Sequence, residues 1–187
     1  MATKEELTEF VRSTILKRQE FDEVPFYILD LGVVVSLYNP MISKLPMIHP
    51  HYAVECNREP ALLEALAVLG SNFDCASQYE IAVVLALGIS PDRIIYANPC
   101  KPVSHIKYAA NVGVNLTTFD SVEKLHKIRK WHLKCDLLIR IKPLDDSGAK
   151  HPLDSKYGAD HHPQEIVPLL EAAEASGLSV IGVACSK

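Results

Sequence analysis

Polar side chains stand where a series of apolar stretches breaks off. Glu55 ends "HPHYAVE", Asp74 lies in "SNFDCAS", Asn98 in "DRIIYANP", Thr117 and Thr118 in "VNLTTF", and Arg140 in "CDLLIRI". A charged residue at the end of a buried strand is a side chain delivered to a working site. Two other groups invite chemistry. His161 and His162 are metal-ligand types, but adjacent histidines project differently and no acid or cysteine spacing of a metal site surrounds them, so no metal is expected. Cys100, in "NPCK", has no base paired with it in the sequence, so nucleophilic catalysis is not expected there.

The elements that must position these residues alternate. "PFYILDLG" (25–32) reads as a strand and leads into a helical stretch to about Lys44. Strands follow at 49–55, 71–77, 92–99, 114–119, 135–141 and 178–184. Between them lie helical patterns at 59–70, 78–88, 102–113, 122–132 and 163–177. Gly70 and Gly88 stop two of these helices, and Asp120 and Ser121 can cap a third. A long polar loop, 144–162, interrupts the rhythm. Apolar strands separated by helices of ten or so residues mean parallel βα units. A doubly wound sheet and a (β/α)8 barrel both satisfy that pattern. No GxGxxG or GxxxxGK turn is present, and the polar residues gather at strand ends, where a barrel keeps its chemistry. The expected fold is therefore α/β, a partial TIM-like barrel with about six of eight units. Residues 1–24 are expected to be a helical extension and 25–187 the incomplete barrel domain.

Composition narrows the function classes. The chain has 187 residues, a formal charge of −4 and 48% apolar residues. Mild acidity gives no footing for nucleic acid, and no apolar run approaches the length of a membrane span. The N-terminus "MATKEELTEF" has no apolar core and is not a secretory signal. Five scattered cysteines without paired spacing point to a reducing compartment, read as the cytoplasm.

"YAVECN", "FDCAS" followed by Glu80, "RIIYANPCK", "TTFDS", "LLIRI" and "SKYGA" occur in the order and spacing of the ornithine decarboxylases, and the chain resembles most closely the plant members of that family. The resemblance implies a barrel of the alanine racemase/ornithine decarboxylase type that holds pyridoxal phosphate, in a homodimer with a C-terminal β-domain that this chain lacks. It implies the reaction of ornithine to putrescine and CO2, a step of polyamine biosynthesis. The family's own motif reads YAVKCN, and its lysine forms the Schiff base with the cofactor aldehyde. Here that position is Glu55. A carboxylate has no nitrogen and forms no imine. The resemblance places Asp74, Glu80 and Arg140 around the same cofactor pocket, with Arg140 able to pair with Glu55. It places Lys156 and Gly158, in "SKYGA", on a loop that meets the partner subunit. Ser186 falls near the position of a family histidine.

These expectations leave three readings. The chain is a disabled decarboxylase relative whose binding of pyridoxal phosphate is doubtful; or a non-catalytic regulator similar to the antizyme inhibitors, binding a full-length decarboxylase subunit; or an unrelated barrel portion with its own ligand.

Overall fold

The computed structural model describes residues 2–17, 25–143 and 157–185. The contacts divide the chain into two compact units, one formed by 1–49 with 59–70 and the other by 50–58 with 71–187.

The first unit is helical. Its helices are α1 (Lys4–Lys17), α2 (Leu31–Lys44) and α3 (Pro60–Leu69), and α2 packs against α3. Residues 25–30 form no strand, contrary to the reading of "PFYILDLG". Asp30 is instead the N-cap of α2, and its Oδ1 accepts a hydrogen bond from the Gly32 N–H at 2.8 Å. A strand needs a neighbour to complete its ladder, whereas a capping acid satisfies helix donors locally. Tyr27, which looked like a strand's apolar residue, is 98% exposed. Pro60 opens α3 at a position where its missing N–H costs nothing, and Gly70 closes it in the left-handed conformation, at φ 96°.

The second unit carries the sheet. Its strands are β1 (His51–Ala53), β2 (Asn72–Cys75), β3 (Ile94–Tyr96), β4 (Leu116–Phe119), β5 (Asp136–Ile141) and β6 (Ser179–Cys185). All neighbours are parallel and the spatial order is the chain order, β1-β2-β3-β4-β5-β6. That order decides between the two candidate folds. A doubly wound sheet reverses direction at a switch point, whereas a barrel adds each strand beside the last. The chain is a partial (β/α) barrel.

Helices α4 (Gln78–Ala86), α5 (Val103–Val112), α6 (Val122–Trp131) and α7 (Pro163–Ala175) alternate with these strands, each packing against the next. A fully buried set built from Phe119, Leu125, Ile128, Leu137, Ala173 and their neighbours joins α6 and α7 to β4 and β5. Strand alternation sets which side chains reach this helix layer. Phe73 and Cys75 of β2 are buried, while Asp74 between them turns to the other face.

After the polar loop the chain returns to the sheet beside β5. The Ala159 N–H donates to the Arg140 carbonyl at 2.8 Å, and the Lys142 N–H donates to the Ala159 carbonyl at 2.9 Å. Gly158 makes this approach possible. Its φ is 112°, and a Cβ there would lie 2.9 Å from both the Ile141 carbonyl carbon and the Lys142 nitrogen. Gly158→Ala should therefore destabilise the chain by about 2–3 kcal/mol, through backbone strain plus a displaced bridge. The urea unfolding midpoint reports it; a change below about 0.5 kcal/mol, within the range of neutral surface substitutions, contradicts the geometry.

Candidate functional site

A cavity of about 470 Å³ opens at the C-terminal ends of the strands. Its lining takes Ala53 at the end of β1 and Glu55 just after it, Asp74 from β2 and Ala76 just after it, Thr118 from β4, Arg140 from β5, and Tyr157 from the returning loop. Parallel strands give this placement directly. Each side chain facing away from the helix layer near a strand's end must face the same concave rim.

Four of the polar residues singled out in the sequence meet here: Glu55, Asp74, Thr118 and Arg140. Asp74 is half-buried. Burial raises its carboxyl above the usual carboxylate range and the nearby Glu55 raises it further; His51 and Arg140 pull the other way. The Arg140 guanidinium lies over the Tyr157 ring, 5.5 Å from its centroid. Glu55 itself is exposed. Asn98 and Thr117 do other work. Thr117 Oγ1 donates to the Tyr96 carbonyl at 2.5 Å, and Asn98 ties a turn together by donating to Ala76 O and accepting from the Cys100 and Lys101 N–H groups.

Glu80 is buried in a helix cap. Ser77, the N-cap of α4, accepts from the Glu80 N–H at 3.2 Å, and the Glu80 carboxylate accepts from the Ala76 N–H at 2.6 Å. This is a variant of the capping box, with the Glu80 carboxylate reaching the N–H one residue before the Ser77 cap, and its Ser-x-x-Glu pattern was visible in the sequence. Glu80→Ala should cost about 1–2 kcal/mol of stability while leaving the cavity's own side chains in place. Loss of less than about 0.3 kcal/mol by chemical denaturation would count against it.

Lys156 and Ser186 lie outside the described residues. Cys100 is exposed and all five cysteines are free.

Sequence reasoning missed Lys101. It has 0% exposure and a left-handed backbone, at φ 42°. Its Nζ donates to the Tyr96 carbonyl at 3.2 Å, the Asn98 carbonyl at 3.0 Å and Thr118 Oγ1 at 3.3 Å. It also sits 4.5 Å from the Tyr96 ring centroid. Burial, and next the Lys124 cation, pull its pKa down to about 7, while Asp120 opposes them. Through Thr118 this lysine holds part of the cavity wall. The only signal in the sequence was a cation in a tight "NPCK" turn between an apolar strand and a helix, a place where a lysine is ordinarily solvated.

Comparison with known proteins agrees with this architecture. Residues 31–186 match the family model described as pyridoxal-dependent decarboxylase, pyridoxal binding domain. The chloroplastic ornithine decarboxylase of Nicotiana glauca is 55% identical over 97% of this chain and 41% of its own length. The ornithine decarboxylase of Saccharomyces cerevisiae is 50% identical over 87% of this chain and 34% of its own. Among solved structures, the arginine decarboxylase of Paramecium bursaria Chlorella virus bound to agmatine superposes with a TM-score of 0.86 at 37% identity, over 94% of this chain and 47% of that one. The ornithine decarboxylase of Entamoeba histolytica gives 0.79 at 30% identity, over 97% and 50%. The chain spans about two fifths of the length of the curated relatives it matches. Among the described residues no helix is long and apolar enough to cross a membrane. With 156 consecutive positions inside the family model and sequential parallel strands beneath them, this chain belongs to the pyridoxal-dependent decarboxylases.

Proposed function

We propose that this chain is a catalytically silent member of its family, derived from enzymes that remove CO2 from ornithine. The observation that carries this reading is Glu55 on the wall of the strand-end cavity, beside Asp74 and Arg140, at the position where the family motif holds its lysine. Pyridoxal phosphate does not fit the residues present. Capture of its aldehyde needs an amine. Among the described residues no lysine lines the cavity, and Lys101 is turned into the protein, where its Nζ is hydrogen-bonded to three oxygens. The cofactor is also an anion, and Glu55 already raises the pKa of Asp74 there. Incubating the chain with labelled ornithine and pyridoxal phosphate tests the reading. No labelled CO2 is expected beyond that released with pyridoxal phosphate alone; release above that level by the chain with Glu55 intact overturns the reading.

The division into an extension at 1–24 and a barrel portion at 25–187 belongs to the same reading. Gly158, together with Lys156, is assigned to a loop facing a partner subunit.

A second reading, a regulator that binds a full-length decarboxylase subunit, has one observation in its favour. Ile181 and Val183 of β6 are 57% and 61% exposed, unusual for a parallel strand whose faces are normally covered. Pull-down against a full-length decarboxylase separates the two readings. Specific, saturable association supports the regulator, and its absence leaves the silent relative.

A further inference from the structure

Where the polar loop ends and α7 begins, Asp160, His161 and His162 come together. Adjacent side chains on a strand or a helix diverge, but these three stand in the turn before Pro163, and the backbone there folds their donor atoms inward. Asp160 Oδ1 lies 3.7 Å from His161 Nδ1 and 3.6 Å from His162 Nε2. The two imidazole rings sit side by side, with centroids 4.4 Å apart and planes tilted by 42°. Among the described residues this is the one group of three such side chains whose donor atoms all fall within 4.8 Å of one another.

We propose that Asp160, His161 and His162 form a surface site for a borderline divalent transition-metal ion such as Zn²⁺ or Co²⁺. The distances suit one. A tetrahedral ion with bonds of about 2.0–2.1 Å holds its ligand atoms roughly 3.3–3.4 Å apart. The two measured edges exceed that by a few tenths of an ångström, a closure that side-chain rotation supplies. The donor set also selects the class of ion. Two imidazole nitrogens and one carboxylate suit zinc and its neighbours, whereas magnesium and calcium prefer oxygen throughout. The carboxylate is held in place from behind, because Asp160 Oδ1 accepts the His162 N–H at 3.2 Å, the kind of support that orients a ligand. All three residues are at least partly exposed, so water can complete the coordination and the ion has a direct path in.

The test uses Co²⁺ with the 187-residue chain, because its absorption distinguishes nitrogen and oxygen ligands from thiolate and five free cysteines are present. Uptake is followed by visible absorption and by calorimetry. The expected result is one equivalent bound without a thiolate charge-transfer band, displaced by Zn²⁺ but not by Mg²⁺. Binding should weaken at least tenfold in His161→Ala and in His162→Ala, both checked for an unchanged circular dichroism spectrum. No saturable uptake, a thiolate band, or a loss smaller than tenfold in either variant overturns the proposal. The readout is metal occupancy, independent of whether the chain is silent as a decarboxylase.

Discussion

Glu55→Lys should give the chain an aldehyde-capturing amine on the cavity wall, and with it a covalent adduct that the unaltered chain does not form at that position. After incubation with pyridoxal phosphate and reduction with borohydride, peptide mapping should find the phosphopyridoxyl group on residue 55 of the variant. In the unaltered chain residue 55 should carry none, whatever surface lysines react elsewhere. The chemistry is condensation of a primary amine with an aldehyde, with loss of water, and only the lysine has the nitrogen. Electrostatics adds to the contrast. A carboxylate at the exposed position 55 repels an anionic ligand, an effect that water and salt screen. The substitution turns that repulsion into attraction. It should also lower the pKa of Asp74, which Glu55 now raises, and carboxyl-carbon NMR would read the change directly. Adduct at residue 55 in neither form would mean that the side chain there does not face a space that admits the cofactor.

The second large effect belongs to Lys101. Lys101→Ala should cost about 3–5 kcal/mol, because it leaves a cavity and strips the donor from the Asn98 carbonyl and from Thr118 Oγ1. That is a large part of a typical domain's stability. Lys101→Met fills the space and removes the buried charge, so it should recover about half of the loss. The two variants also differ from the parent in pH dependence. The Lys101 amine has a folded-state pKa of about 7, below its ordinary value of 10.5. Between those values the unfolded chain holds a proton that the folded chain has released, so stability rises as pH climbs above about 7, by at most about 1.4 kcal/mol per pH unit. The buried thiols act in the opposite sense. Burial pushes Cys135 up to about 12 and raises Cys75 as well, so above about pH 9 the unfolded thiols ionise first and stability falls. The rise should therefore appear between pH 7 and 8.5 in the parent and be absent from Lys101→Met. Urea titrations at three pH values measure it. A loss under about 1 kcal/mol in Lys101→Ala, a value typical of surface sites, would mean that the amine is not buried as described.

Sequence periodicity carried most of the fold, because each βα unit writes its own boundaries. Leu62, Leu63 and Leu66 recur at helical spacing before Gly70, and Ile94 to Tyr96 stand as a short apolar run before Pro99. The polar strand ends were legible for the same reason: Glu55, Asp74, Thr118 and Arg140 lie one after another along a rim that parallel strands must share. What failed were features set by particular hydrogen bonds that periodicity does not register. Residues 25–30 have strand-like side chains, yet one aspartate cap redirects them into a helix. Glu80 matched a pocket acid in type and spacing, but its carboxylate is occupied by the Ala76 N–H. Lys101 is hidden by a turn whose three oxygens come from the backbone and from a residue 17 positions away, a convergence that composition does not encode.

The ordered sheet also bears on how the polypeptide assembles. Asn72 stands opposite His51, Ile94 opposite Phe73, Leu116 opposite Ile95 and Asp136 opposite Leu116. Each new strand therefore docks on one that left the ribosome about 21 residues earlier, at nearly constant loop-closure entropy. Only the last step, Ser179 against Asp136, reaches back about 43 residues, and that doubling adds only about 0.6 kcal/mol. Such a sheet can lengthen strand by strand during synthesis, each addition stabilised before the next segment emerges.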